Sequence, residues 1–99
     1  MIALQQSEKK IIWEIIKQFP YQFYMFGSRV KGTAKLFSDL DICVKGPISR
    51  AELFNLKSDF DDSNLPFTID LTWWDDCTKE FQEQISNQLL LITQENLGL

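Results

Sequence analysis

Gly27-Ser28 and, after ten intervening residues, Asp39-Leu40-Asp41 are the side chains whose types and spacing point most directly to chemistry. Two carboxylates two positions apart on an extended chain emerge on the same side, with Cα atoms about 6.5–7 Å apart. Like charges that close repel unless a cation neutralises them. The chain has no histidine, and Cys43 and Cys77 stand far apart with no C-x-x-C spacing, so zinc sites and histidine-based triads are excluded. Hard oxygen ligands then favour magnesium, with manganese as the alternative. A strand feeding a Gly-Ser turn at a helix start offers backbone N–H groups and a hydroxyl to a phosphate. Arg29, Lys31 and Lys35 add positive charge beside that turn. A third carboxylate, Asp70, completes the set if its strand neighbours that of Asp41, either as a further metal ligand or as a base toward an attacking hydroxyl. The arrangement fits phosphoryl or nucleotidyl transfer.

The elements that must position these groups follow from hydrophobic period. Ile11, Ile12, Ile15, Ile16 and Phe19 recur at helical spacing, which predicts a helix over about 7–18 with Ser7 as its cap and Pro20 as its stop. Residues 21–26, rich in aromatics and ending at Gly27, predict a short buried strand, and the small, basic stretch 28–35 predicts a short helix. Leu40, Ile42 and Val44 alternate with Asp39, Asp41 and Cys43, so the second strand sends its aliphatics to one side and its carboxylates to the other. Ser49 and Glu52 form a capping box ahead of a stripe of Leu53, Leu56 and Phe60. Phe67, Ile69, Leu71 and Trp73 alternate with Thr68, Asp70 and Thr72 in a third strand. Asp75 or Asp76 is expected to cap a last helix with Phe81, Ile85 and Leu89 inside, while Trp73 and Trp74 read as core. Leu89-Leu90-Leu91-Ile92 is apolar around the whole of that helix, an excess expected to contact another chain. The expected fold is α/β (α+β), in the order αβαβαβα, with a small mixed sheet flanked by helices.

Composition bounds the remaining classes. At 99 residues, 44% hydrophobic and 24% charged, the chain has the make-up of one soluble globular domain spanning 1–99. A domain this small buries about two thirds of its unfolded surface, so its chemistry must sit on an open face completed by a partner. The net charge is −4, which argues against a protein that coats nucleic acid. Residues 1–38 hold six cations against two acids, however, and residues 39–99 hold four against twelve. No apolar run approaches the ~18 residues of a membrane span, and the N-terminus lacks the order of a signal peptide. A cytoplasmic location is expected.

Phe26-Gly27-Ser28-Arg29-Val30-Lys31-Gly32-Thr33-Ala34, followed by Ser38-Asp39-Leu40-Asp41-Ile42, resembles the signature of the polymerase-β-like nucleotidyltransferase superfamily, specifically its minimal (MNT) members. Phe67-Thr68-Ile69-Asp70-Leu71 stands where that family carries its third carboxylate. The resemblance implies that Gly27 and Ser28, with Arg29 and Lys31, hold the triphosphate of a nucleotide such as ATP. It implies that Asp39 and Asp41 bind Mg2+ (or Mn2+), with Asp70 at the same centre helping to deprotonate the acceptor hydroxyl. Lys31 departs from a common arginine, which keeps the charge and loses the bidentate fork. Proteins similar to this one are usually paired with a helical HEPN protein, so the resemblance implies an antitoxin that transfers AMP from ATP to a tyrosine of its HEPN toxin. The alternatives are a non-catalytic antitoxin that blocks its toxin by occlusion, and transfer to a small molecule or an RNA end, for which this length leaves no acceptor domain. Direct nucleic-acid binding and a membrane partner are not expected. A homo-oligomer is left open.

Overall fold

The computed structural model describes residues 3–33 and 38–99. The first helix, α1 (Gln6–Ile16), presents Ile12 and Ile16 to the core at the spacing of one helical turn. Its cap is Gln5 rather than Ser7, which lies inside the first turn. The Gln5 N–H donates to Glu8 Oε1 at 2.8 Å, satisfying a donor that the helix start leaves unpaired. Strand β1 (Gln22–Phe26) leads through Gly27 into the single turn α2 (Ser28–Lys31), which Gly32 ends in the left-handed conformation. Lys35 falls outside the described residues. Strand β2 (Leu40–Lys45) and helix α3 (Arg50–Asp61) follow. The Ser49 Oγ accepts from the Glu52 N–H at 3.1 Å and Glu52 Oε1 accepts from the Ser49 N–H at 3.0 Å, the reciprocal box read from the sequence.

Strand β3 (Ile69–Trp73) runs parallel to β2, with Leu40 opposite Ile69 and Val44 opposite Trp73, while β1 pairs with β2 antiparallel. A fourth strand, β4 (Leu90–Leu91), pairs antiparallel with the other side of β1, so the sheet order is β3-β2-β1-β4. One face of this mixed sheet carries Phe23, Met25, Leu40, Ile42, Val44 and Ile69, buried beneath Ile12 and Ile16 of α1 and Leu56 and Phe60 of α3. On the opposite face, Phe26 and Cys43 are covered by Ile85 of helix α4 (Lys79–Ile85), with Phe81 edge-on to Phe26.

The C-terminal third departs from expectation in two places. Trp74–Asp76 forms a 3-10 turn, and the cap of α4 is Thr78, whose Oγ1 accepts from the Phe81 N–H at 3.2 Å. Asp75 and Asp76 therefore do not cap it. The apolar run 89–92 is not helical either. Leu90 and Leu91 are strand, Ile92 donates its N–H to the Phe23 carbonyl at 2.8 Å and is buried, and a last turn, α5 (Gln94–Leu97), buries Leu97. Leu90 packs against the main core and Leu89 against the second cluster, while Leu89, Leu90 and Leu91 each stay half-buried, so the domain itself takes up part of the apolar surplus expected to contact another chain. Phe81, Ile85 and Leu89 do share one cluster, as the helical period suggested. Trp73 packs against the main core and Trp74 against the second cluster.

Candidate active site

Because side chains alternate along β2, Asp41 shares a face with Cys43 and Lys45 while its neighbours Leu40 and Ile42 are fully buried on the other. The parallel register sets Asp70 directly beside Asp41, and the antiparallel register sets Phe26 on its other side. Gly27 follows at once. With φ +84° it takes the left-handed region, and a Cβ there would overlap Asp41 Oδ2, so only glycine lets the turn lie against this carboxylate. The Gly27 carbonyl accepts from the Val30 and Lys31 N–H groups at 3.1 Å each, which closes the turn of α2.

The environment of Asp41 is electrostatically costly. Burial, the adjacent Asp70 carboxylate and, least, Asp39 together push its pKa up to about 6. Two carboxylates thus meet side by side, a repulsion that a bound cation would relieve. Asp39 is less fixed. It is exposed and sits one residue before the ladder, which starts with the Leu40 N–H donating to the Thr68 carbonyl at 3.0 Å. Among the described residues no three acidic, cysteine or histidine side chains converge as a ready-made ligand set. The donor chemistry nonetheless fits a hard divalent cation: two oxygen donors already face one another, and exposed Asp39 lies close enough to act on Asp41.

Ser28 opens α2, and Lys31, at its end, is exposed beside the turn. Arg29 stands differently from the place the sequence suggested. It is only 5% exposed; its Nη1 donates to the Ala3 carbonyl at 2.7 Å and its Nε to the Ser38 carbonyl at 2.9 Å, and its guanidinium lies 3.9 Å from the centroid of the Phe67 ring. Arg29 therefore clips the N-terminal segment to the residues just ahead of Asp39. Sequence reading missed the groove beside Asp70, about 440 Å³ in volume and walled by Arg50 and Phe54 of α3. The signal was available: Phe54 is an aromatic off the buried stripe of its helix. A larger groove of about 530 Å³, between α1 and the end of α3, contains none of the site carboxylates.

A family model described as polymerase beta, nucleotidyltransferase matches residues 9–96, a span that includes the Gly27 turn and all three aspartates. The chain belongs to the polymerase β nucleotidyltransferase family. As a member it is a nucleotidyltransferase of the minimal type, a chemistry that uses a nucleotide substrate and a divalent metal. It is 33% identical over 98 residues to the probable protein adenylyltransferase MntA of Haemophilus influenzae, covering 95% of this chain and 86% of that protein. Among solved structures, a toxin–antitoxin with AMP-PNP superposes at a TM-score of 0.68 with 23% identity, over 91% of this chain and 77% of that one, a likeness of fold. A MntA-HpeT toxin–antitoxin mutant superposes at 0.65 with 26% identity, over 95% and 79%. No helix among the described residues is long and apolar enough to cross a membrane.

Proposed function

We propose that this nucleotidyltransferase is the antitoxin of a toxin–antitoxin pair and transfers AMP from ATP to a tyrosine hydroxyl of a helical HEPN toxin in the cytoplasm. The observation that carries this reading is the Asp41–Asp70 pair, set side by side by the parallel register against the Gly27 turn. A binding scaffold has no need to hold two carboxylates together in a partly desolvated place. Similarity to MntA supplies the protein acceptor, and the AMP-PNP complex of a structural relative is in keeping with ATP.

In this mechanism Gly27 and Ser28 receive the triphosphate, with Lys31 beside it, and Arg29 acts by holding the segment that leads into Asp39. Asp39 and Asp41, next to Asp70, would hold Mg2+, which supplies neutralisation of the charge on the triphosphate and on the leaving pyrophosphate. Asp70 accepts the proton of the acceptor hydroxyl. The freed oxygen forms a bond to the α-phosphorus, the bond from that phosphorus to the bridging oxygen breaks, and pyrophosphate leaves with the electron pair. The toxin is left with an AMP ester.

Incubation of the purified pair with magnesium and ATP labelled at the α-phosphate is expected to label the toxin, and Asp41→Asn is expected to lower the rate about 1000-fold, the scale of losing a group aimed at developing charge. Undiminished labelling in Asp41→Asn rejects the mechanism. Toxin neutralisation that survives a combined Asp39→Asn, Asp41→Asn replacement assigns the antitoxin to occlusion instead.

A further inference from the structure

Asp39 is exposed and stands one residue ahead of the ladder, so the backbone on either side of it decides where its carboxylate starts and points. A residue has two soft backbone dihedrals, and holding the peptide planes before and after it fixes both. Both planes are held here. The plane leading into Asp39 carries the Ser38 carbonyl, which accepts from Arg29 Nε at 2.9 Å. The plane leading out carries the Leu40 N–H, which donates to the Thr68 carbonyl at 3.0 Å. Arg29 connects the two holds. Its guanidinium lies 3.9 Å from the centroid of the Phe67 ring, and Phe67, buried in the main core, is the residue before Thr68. The N-terminal segment closes the group from another side. Arg29 Nη1 donates to the Ala3 carbonyl at 2.7 Å while the Ala3 N–H donates to the Arg29 carbonyl at 3.0 Å, so residue 3 is bonded to both the side chain and the backbone of Arg29. Leu4, next along, packs against the main core and anchors the segment. Asp41 needs no such frame, because its strand is paired on both sides, with Phe26 and with Asp70 opposite it.

We propose that Arg29 is the positioning residue of the metal site: with Phe67 as its stacking support and the Ala3 carbonyl as its second acceptor, it sets the Ser38–Asp39 peptide so that Asp39 is placed in advance to share a divalent cation with Asp41. The inference rests on the transfer reading given above and adds residues that touch neither nucleotide nor ion. Direct contact with the triphosphate does not suit a side chain only 5% exposed, with two of its nitrogens turned to backbone carbonyls. The task suits arginine in particular, since its planar fork donates to two carbonyls while its face stacks on an aromatic ring, and a lysine cannot do all three. Precision matters at this place. A displacement of about 1 Å in a reacting constellation can cost on the order of a hundredfold in rate, and Asp39 is the ligand that strand pairing leaves unfixed.

Arg29→Lys keeps the charge and Phe67→Leu keeps an apolar side chain in the core, and thermal unfolding checks that each variant folds. The readout is Mn2+ affinity of the purified pair in the presence of AMP-PNP, followed by the electron paramagnetic resonance signal of the free ion, which needs no turnover. Arg29→Lys is expected to weaken Mn2+ binding about 10- to 100-fold, the scale of losing a group that orients a metal ligand. Phe67→Leu and removal of residues 1–3 are each expected to weaken it by a smaller factor. The deciding measurement is a double-mutant cycle with Asp39→Asn. Because Arg29 acts through Asp39, Arg29→Lys is expected to cost nothing further in the Asp39→Asn background. With α-labelled ATP, labelling by Arg29→Lys is expected to recover as magnesium is raised, while the KM for the toxin stays unchanged. Wild-type Mn2+ affinity in folded Arg29→Lys and Phe67→Leu, or losses that add in the double variant, overturns the positioning role and leaves the transfer reading intact. A wild-type pair that binds Mn2+ and AMP-PNP but labels no toxin overturns the transfer reading, and the cycle still decides the positioning role.

Discussion

The two faces of β2 obey different physics although they alternate along one strand. Leu40, Ile42 and Val44 are fully buried among aliphatic and aromatic neighbours, where every atom removed from water stabilises the fold. On the opposite face Asp41 meets a second carboxylate at a cost in free energy, and two residues further on Cys43 is again fully buried under α4. The difference teaches where this small domain carries its liability. One end of one face is kept charged and open, while Cys43, two residues further along it, is closed by packing.

Three measurements break or sharpen that contrast. Ile42→Ala, on the wholly apolar face, is expected to cost about 3 kcal/mol in urea unfolding, because the lost transfer energy adds to that of an unfilled cavity. Cys43→Ser, on the mixed face, is expected to cost about 2 kcal/mol, since a hydroxyl would replace the thiol where no exposure remains. A loss near zero would mean that α4 covers this end only loosely. The smallest effect concerns Asp41. Its folded pKa of about 6 exceeds the ordinary 3.8, so the folded state binds the proton more tightly than the unfolded state. Without metal, stability is then greatest at low pH and falls as pH rises from about 4 through 6. Discounted for its partial exposure to water, the fall is about 1 kcal/mol. Glu52 shifts the opposite way, drawn down by hydrogen bonds from Tyr21 and Ser49, but its influence lies below its ordinary value of 4.5. Thermal unfolding between pH 4.5 and 7 therefore isolates Asp41, and Asp41→Asn should flatten the profile.

Much of this was legible in the order of residues. The alternation of 40–44 assigned Asp41 to the face opposite Leu40 and Ile42, and the Ser49-x-x-Glu52 box marked the start of α3, because both depend on chain neighbours alone. The spacing of Gly27-Ser28 from Asp39 and Asp41 marked the family and a candidate site. Tertiary structure decided what local pattern leaves open. It set the parallel register that places Asp70 beside Asp41, and it buried Arg29 between the carbonyls of Ala3 and Ser38. It made Leu90 and Leu91 of the apolar run an outer strand of the sheet, and it left Phe54 exposed. Each of these depends on which distant segment arrives next to which. A residue's own type and spacing tell what it can do; whether an arginine ends against a phosphate or a buried carbonyl is fixed only when the rest of the chain packs around it.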